Sequence, residues 1–168
     1  MKRVSLAAVL ASLAAGSAAA APSPLLQHWD TGAVRAGLTA VGATDIRVFD
    51  ADGQPMITAR TRDGLGVALY AKLCDASTGR ATAVCHGMET VVSFDPGPAA
   101  DRGAIVARLN QTYASGKFIV VADGTIRLTR YVDFDGGVTP ENLRAQLTEY
   151  FTLAGVTARS LWQAAGAQ

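Results

Sequence analysis

Few side chains in this sequence are equipped for chemistry. His28 and His86 are the only histidines, and Cys74 and Cys85 are the only cysteines. Hydrolysis of the Ser-His-Asp kind needs a base held between a nucleophile and a carboxylate. His86 could be set against Asp75 or Glu89, but no Gly-x-Ser-x-Gly turn marks a nucleophile. His28 lies in an unpatterned stretch near the N-terminus. Asp133 with Asp135, and Asp50 with Asp52, offer carboxylates in pairs. Neither pair is followed by the remaining ligands of a calcium loop. Each runs into glycine, where acidic residues are ordinary turn formers. No phosphate loop or dinucleotide fingerprint is present. These residues assign no catalytic group, no metal and no cofactor.

The cysteines depend on where the chain resides. Lys2 and Arg3 precede an apolar run from Leu6 to Leu13, and small residues fill Ala14 to Ala21. That is the layout of a secretory signal over residues 1–20, with cleavage expected after Ala20. The apolar run is too short to span a bilayer, and no cysteine stands at the cleavage point to take a lipid. The mature chain is expected to be exported and periplasmic, without membrane insertion. In an oxidising compartment a disulfide is the default for Cys74 and Cys85. The alternatives are a reactive thiol or a metal site of Cys74, Cys85 and His86, and the metal site lacks both the short cysteine spacing and a fourth ligand. Removing Lys2 and Arg3 takes the formal charge from +1 to −1. No basic stripe remains, which disfavours nucleic acid, and no basic amphipathic helix favours a membrane surface.

The elements that must position these residues follow from periodicity. Residues 21–30 form a lead-in with two prolines. Asp30 or Thr31 can cap a helix to about Gly42, with Val34, Leu38 and Val41 on one face. Short strands are expected at Ile46–Phe49, Met56–Thr61, Val67–Leu73 and Val84–Phe94, separated by turn residues. Pairing Cys74 with Cys85 sets Ala71 opposite Met88 and Leu69 opposite Thr90, a largely apolar face. Tyr70, Lys72, Glu89 and Ser93 occupy the other. A helix from Ala99 to Tyr113 follows, with Ile105, Val106, Leu109 and Tyr113 along its buried stripe.

Asp123-Gly124 is the strongest hairpin signal. Read as a two-residue turn between Phe118–Ala122 and Thr125–Phe134, it places Phe118 and Val120 on the polar side beside Tyr131. Those three are the candidate partner-binding surface. Arg130 falls on the apolar side, so it is expected at a rim or beside a carboxylate. Thr139 caps the last helix, with Pro140 and Glu141 in its first turn. Leu143, Leu147, Tyr150 and Phe151 form its stripe. Gly155 is expected to weaken it, leaving residues 156–168 as a tail in which Leu161 and Trp162 make a short packing element.

Three motifs carry a family resemblance: Asn110 late in the middle helix, Lys117-Phe118 opening a strand, and Gly137-Val138-Thr139-Pro140-Glu141-Asn142-Leu143 leading into the last helix. Together they resemble the YbjN-domain family, which is associated with regulation of sensory transduction and related in fold to type III secretion chaperones. Tyr113-Ala114 stands where many relatives have Trp-Asn. The resemblance implies an α+β domain over residues 31–155, with a largely antiparallel sheet and three helices in the order α-β(n)-α-β-β-α. It also implies a non-catalytic role through protein contacts, chaperone-like or regulatory, with a homodimer or an unknown protein as partner. Asn110, Gly137, Thr139, Glu141 and Asn142 are the motif residues and are read as structural: in the helix entry the glycines turn the chain, Thr139 caps, and Asn142 is expected to bond backbone near the helix start. The alternative is a small-ligand binding protein with a pocket between sheet and helices and Arg130 at its rim.

Overall fold

The computed structural model describes residues 24–51, 53–75, 83–97 and 101–166. The expected signal peptide, most of the loop after Cys74 and the first residues assigned to the middle helix lie outside the described residues. The chain runs α1 (Thr31–Ala40), β1 (Thr44–Ala51), β2 (Gln54–Arg60), β3 (Gly66–Cys74), β4 (Cys85–Phe94), α2 (Arg102–Thr112), β5 (Lys117–Val120), β6 (Ile126–Asp133) and α3 (Pro140–Gly166). This is the expected α+β class and element order. The strands form one six-stranded sheet in the order β1-β2-β3-β4-β6-β5, with every neighbour antiparallel.

Local chemistry sets the helix starts. Asp30 Oδ1 accepts from the Ala33 N–H at 2.7 Å, and Asp101 Oδ1 from the Ala104 N–H at 3.0 Å. Each satisfies a donor that the first turn leaves free. The β3–β4 register sets Cys74 opposite Cys85, Ala71 opposite Met88 and Leu69 opposite Thr90. The two sulfurs are bonded at 2.06 Å.

Alternation along the strands puts Ile57, Leu69, Met88, Val92, Ile126, Leu128, Val132 and Phe134 on one buried face. Val34 and Leu38 of α1 and a long stripe of α3 cover it. Gly37 lets α1 approach Leu143 and Leu147 of α3 closely. Tyr150 reaches from α3 to the sheet, where its hydroxyl lies 2.7 Å from the Leu128 carbonyl and 3.1 Å from that of Thr90. Burial pushes this phenol well above its ordinary pKa, so it remains a donor.

Two expectations are corrected. First, the β5–β6 turn has a three-residue loop. The Val121 N–H donates to the Thr125 carbonyl and the Gly124 N–H to that of Val121, both at 2.9 Å. One extra loop residue shifts the register by one position, and a strand's alternation turns that into a change of face. Phe118 therefore pairs with Leu128 and Val120 with Ile126, on the apolar side. Phe118 is 1% exposed, a core residue and not part of an open contact surface.

Second, α3 continues through Gly155 to Gly166 as one helix of 27 residues. Leu153, Ala154, Thr157, Ala158 and Leu161 extend its buried stripe. Their burial outweighs the roughly 1 kcal/mol that a mid-helix glycine costs. Trp162 stays outside, exposed. The lead-in is pinned from Leu26 onward. Leu26 bridges Val138 with two backbone bonds of 2.9 Å, and the Trp29 N–H donates to the Cys85 carbonyl at 2.7 Å. The Trp29 side chain is buried in the core.

Replacing Tyr150→Phe removes the hydroxyl and leaves core volume nearly unchanged. The expected loss of unfolding free energy in urea is about 1–3 kcal/mol, with an unchanged denaturant slope.

Candidate binding face

The structure separates the three residues expected to form a contact surface. Phe118 is buried under the helices, and Val120 lies at the edge of the same face, 43% exposed. Tyr131 is 46% exposed and pairs with Glu89, on the opposite side of the sheet. Arg130 is half-buried, and its Nη1 lies 2.8 Å from Glu149 Oε2, the carboxylate neighbour its position demanded. That bond holds the Glu149 carboxyl below the usual range.

Tyr131 belongs to a larger feature. Cross-strand pairing aligns Phe49, Met56, Tyr70, Glu89 and Tyr131 on five successive strands. A parallel row carries Arg47, Thr58, Ala68, Val91, Thr129 and Lys117. These rows lie on the face away from the buried layer. Small residues at its centre, Ala68 and Ser93 among them, leave a groove of ≈ 690 Å³ lined entirely by strand residues. Arg47, Arg60 and Arg127 line it, with Asp45 and Tyr70. Arg60 Nε lies 3.6 Å from Asp45 Oδ2. Further along, Lys72 Nζ is 3.1 Å from Glu89 Oε2 and 5.4 Å from the centre of the Tyr70 ring. A Cβ on Gly87 would collide with the Tyr131 ring, so glycine there lets the ring lie against β4.

The motif residues fix the frame around this face. The Asn110 side chain donates to the Phe118 carbonyl at 2.9 Å and accepts from the Phe118 N–H at 2.8 Å. One amide thereby closes both backbone groups that Phe118 turns outward from the edge strand. Gly137 has φ of +91°, a conformation glycine adopts readily. Thr139 Oγ1 accepts from the Asn142 N–H at 3.1 Å, the expected cap. Glu141 stands in the first turn of α3. The Asn142 side chain was expected to bond backbone at the helix start. It accepts instead from Gln146 Nε2 at 2.6 Å, because i and i+4 share a helix face.

His86 is flanked by two carboxylates. Its Nδ1 lies 2.8 Å from Asp135 Oδ1 and its Nε2 lies 3.5 Å from Asp75 Oδ2. Glu89, the other acid considered for it, pairs with Lys72. The bonds to Asp135 and then Asp75 raise the imidazole pKa above its ordinary value. A carboxylate on each nitrogen favours the doubly protonated ring. This cluster joins the end of β3, the start of β4 and the turn after β6, beside the disulfide. Among the described residues no group of three His, Cys, Asp or Glu side chains is placed to hold a metal ion.

Sequence reasoning did not single out Arg47, Arg127 or Phe49 as functional. The available signal was strand alternation, which sets all three on the solvent side once the register is known.

The molecule is an α+β protein built on a single antiparallel sheet, with its buried layer on one side and a strand-lined groove on the other. Residues 76–155 match the model of the YbjN family, described as "Putative bacterial sensory transduction regulator". This is the family that the motifs from Asn110 to Leu143 resemble. No curated protein matches the chain.

Two outcomes are expected. Asn110→Ala strands both backbone groups of Phe118, and urea unfolding should show a loss of about 1–3 kcal/mol. A proton NMR titration should place His86 above the ordinary histidine pKa of about 6.5, and Asp135→Asn should bring it down. Because the folded value is raised, the cluster's contribution is fully present below the unfolded pKa. It is lost as pH rises through the folded one.

Proposed function

We propose that this chain is an exported, non-catalytic YbjN-like module that works in the periplasm through protein contacts, in a chaperone-like or regulatory role. The signal layout of residues 1–20 and the Cys74–Cys85 disulfide support export. Among the described residues no helix is long and apolar enough to cross a membrane. The family description supports a regulatory role.

The observation that carries the reading is the uncovered face of the sheet. Its broad, strand-lined groove and the half-exposed row from Phe49 to Tyr131 suit a partner that lies across several strands. The alternative was a small ligand held between sheet and helices. Leu38, Ile57, Leu69, Met88, Leu147 and Tyr150 fill that layer and are almost fully buried, which argues against it. A second copy of the chain is among the proteins the reading admits, and light scattering of the purified protein identifies that case.

A photo-crosslinking phenylalanine analogue placed at Tyr70 should give a discrete adduct in the native cell envelope. The same analogue at Arg144, on the exposed side of α3, should give none. Adducts at Arg144 with none at Tyr70 would overturn the assignment of the face.

A further inference from the structure

We propose that the groove on the uncovered face takes an acidic, extended peptide segment, with its carboxylates on Arg47, Arg60 and Arg127. The proposal rests on the reading of this face as a contact surface and adds the chemistry of the partner.

Charge is the first argument. The whole chain is nearly neutral, at +1. The groove, in contrast, is lined by three arginines against a single aspartate, Asp45. Asp45 stands beside Arg60, while Arg47 and Arg127 have no ion pair among the described residues. Asp123 on the β5–β6 turn feels the Arg127 charge but is held chiefly by Thr125. Arginine presents a planar fork that matches a carboxylate.

Spacing is the second argument. Arg47 is on β1 and Arg127 on β6, four strand steps apart, or roughly 19 Å between backbones. Carboxylates distributed along a chain meet such a span better than one small anion. At about 3.3 Å per residue, six extended residues would cover it. The row beside the arginines gives the same chain an apolar footing on Phe49, Met56, Tyr70 and Tyr131. A small anion would leave that row uncovered.

The third argument separates a peptide from a nucleic acid. Glu89 lies in the aromatic row, and Asp133 stands opposite Gly87 one row further on. Lys72 already neutralises Glu89. A uniform polyanion laid along this face would meet Asp133 with like charge, whereas a peptide can alternate acidic and apolar side chains to suit both rows.

Fluorescence anisotropy of the purified protein tests this directly. The probe is a fluorescein-labelled peptide of alternating Glu and Val. The controls are the Lys-Val peptide, free citrate and a labelled oligothymidylate. The Glu-Val peptide should bind, and more weakly as salt rises. The double variant Arg47→Glu/Arg127→Glu should weaken it about tenfold, the summed effect of two exposed ion pairs. Arg108→Glu/Arg144→Glu, with the same change in net charge on the helical side, should leave binding unchanged. Circular dichroism of both variants should match the parent.

Equal binding by the Lys-Val peptide, by citrate or by the oligothymidylate would overturn the proposal. So would indifference to the Arg47/Arg127 reversal. A Tyr70 crosslink that survives that reversal at full yield would leave the contact face standing and remove only its acidic partner.

Discussion

The structure depends on hiding one face of a six-stranded sheet from water. Four neighbouring strands, β2, β3, β4 and β6, present Ile57, Leu69, Met88, Val92 and Leu128 on the same side, with Phe134 just past the end of β6, and none of them can shift by one residue without turning its share of that surface outward. The stripe of α3 from Leu143 to Leu161 supplies much of the cover, and α1 supplies part of the rest. This explains why α3 runs unbroken through Gly155. Stopping there would leave the buried side of residues 157–161 without a role and the sheet without part of its lid. The same arrangement explains the free face, since the described helices contribute no residue to the groove lining.

Much of this was legible in the sequence, because several signals there agree. The β3–β4 register could be read because alternation and the cysteine pair point to the same pairing, and either alone would have been weaker. The cap at Thr139, and one at Asp30 or Thr31, were legible because side-chain oxygens at helix starts are specific to that geometry. Phe118 was misplaced for an equally physical reason. Asp-Gly suits a two-residue turn, but the backbone closes one residue wider, and a period of two converts that small error into the wrong face. Arg130 shows the opposite case. A charge on an apolar side must find a partner, so Glu149 was foreseeable in kind though not by number.

The binding face was less legible, because it is made by juxtaposition. Arg47, Arg60 and Arg127 lie on three strands and far apart in sequence, and each alone looks like an ordinary surface residue. Only the strand order brings them around one groove. The His86 cluster is similar. Asp75 and Asp135 are joined through His86 at the end of the sheet where the disulfide also sits; the disulfide and the Asp75 contact hold β3 to β4, and the Asp135 contact holds β4 to the turn before α3. The Trp29 backbone bond to Cys85 ties the lead-in to the same end.

The two margins of the sheet are unlike. At β5 the Asn110 amide occupies the outward peptide groups of Phe118, and α2 runs alongside. At β1 the strand pairs only with β2 among the described residues, and Val48 and Phe49 face solvent. A ladder sealed at one rail can be lengthened from the other rail alone. Any strand added in register would have to enter on the Thr44–Ala51 side.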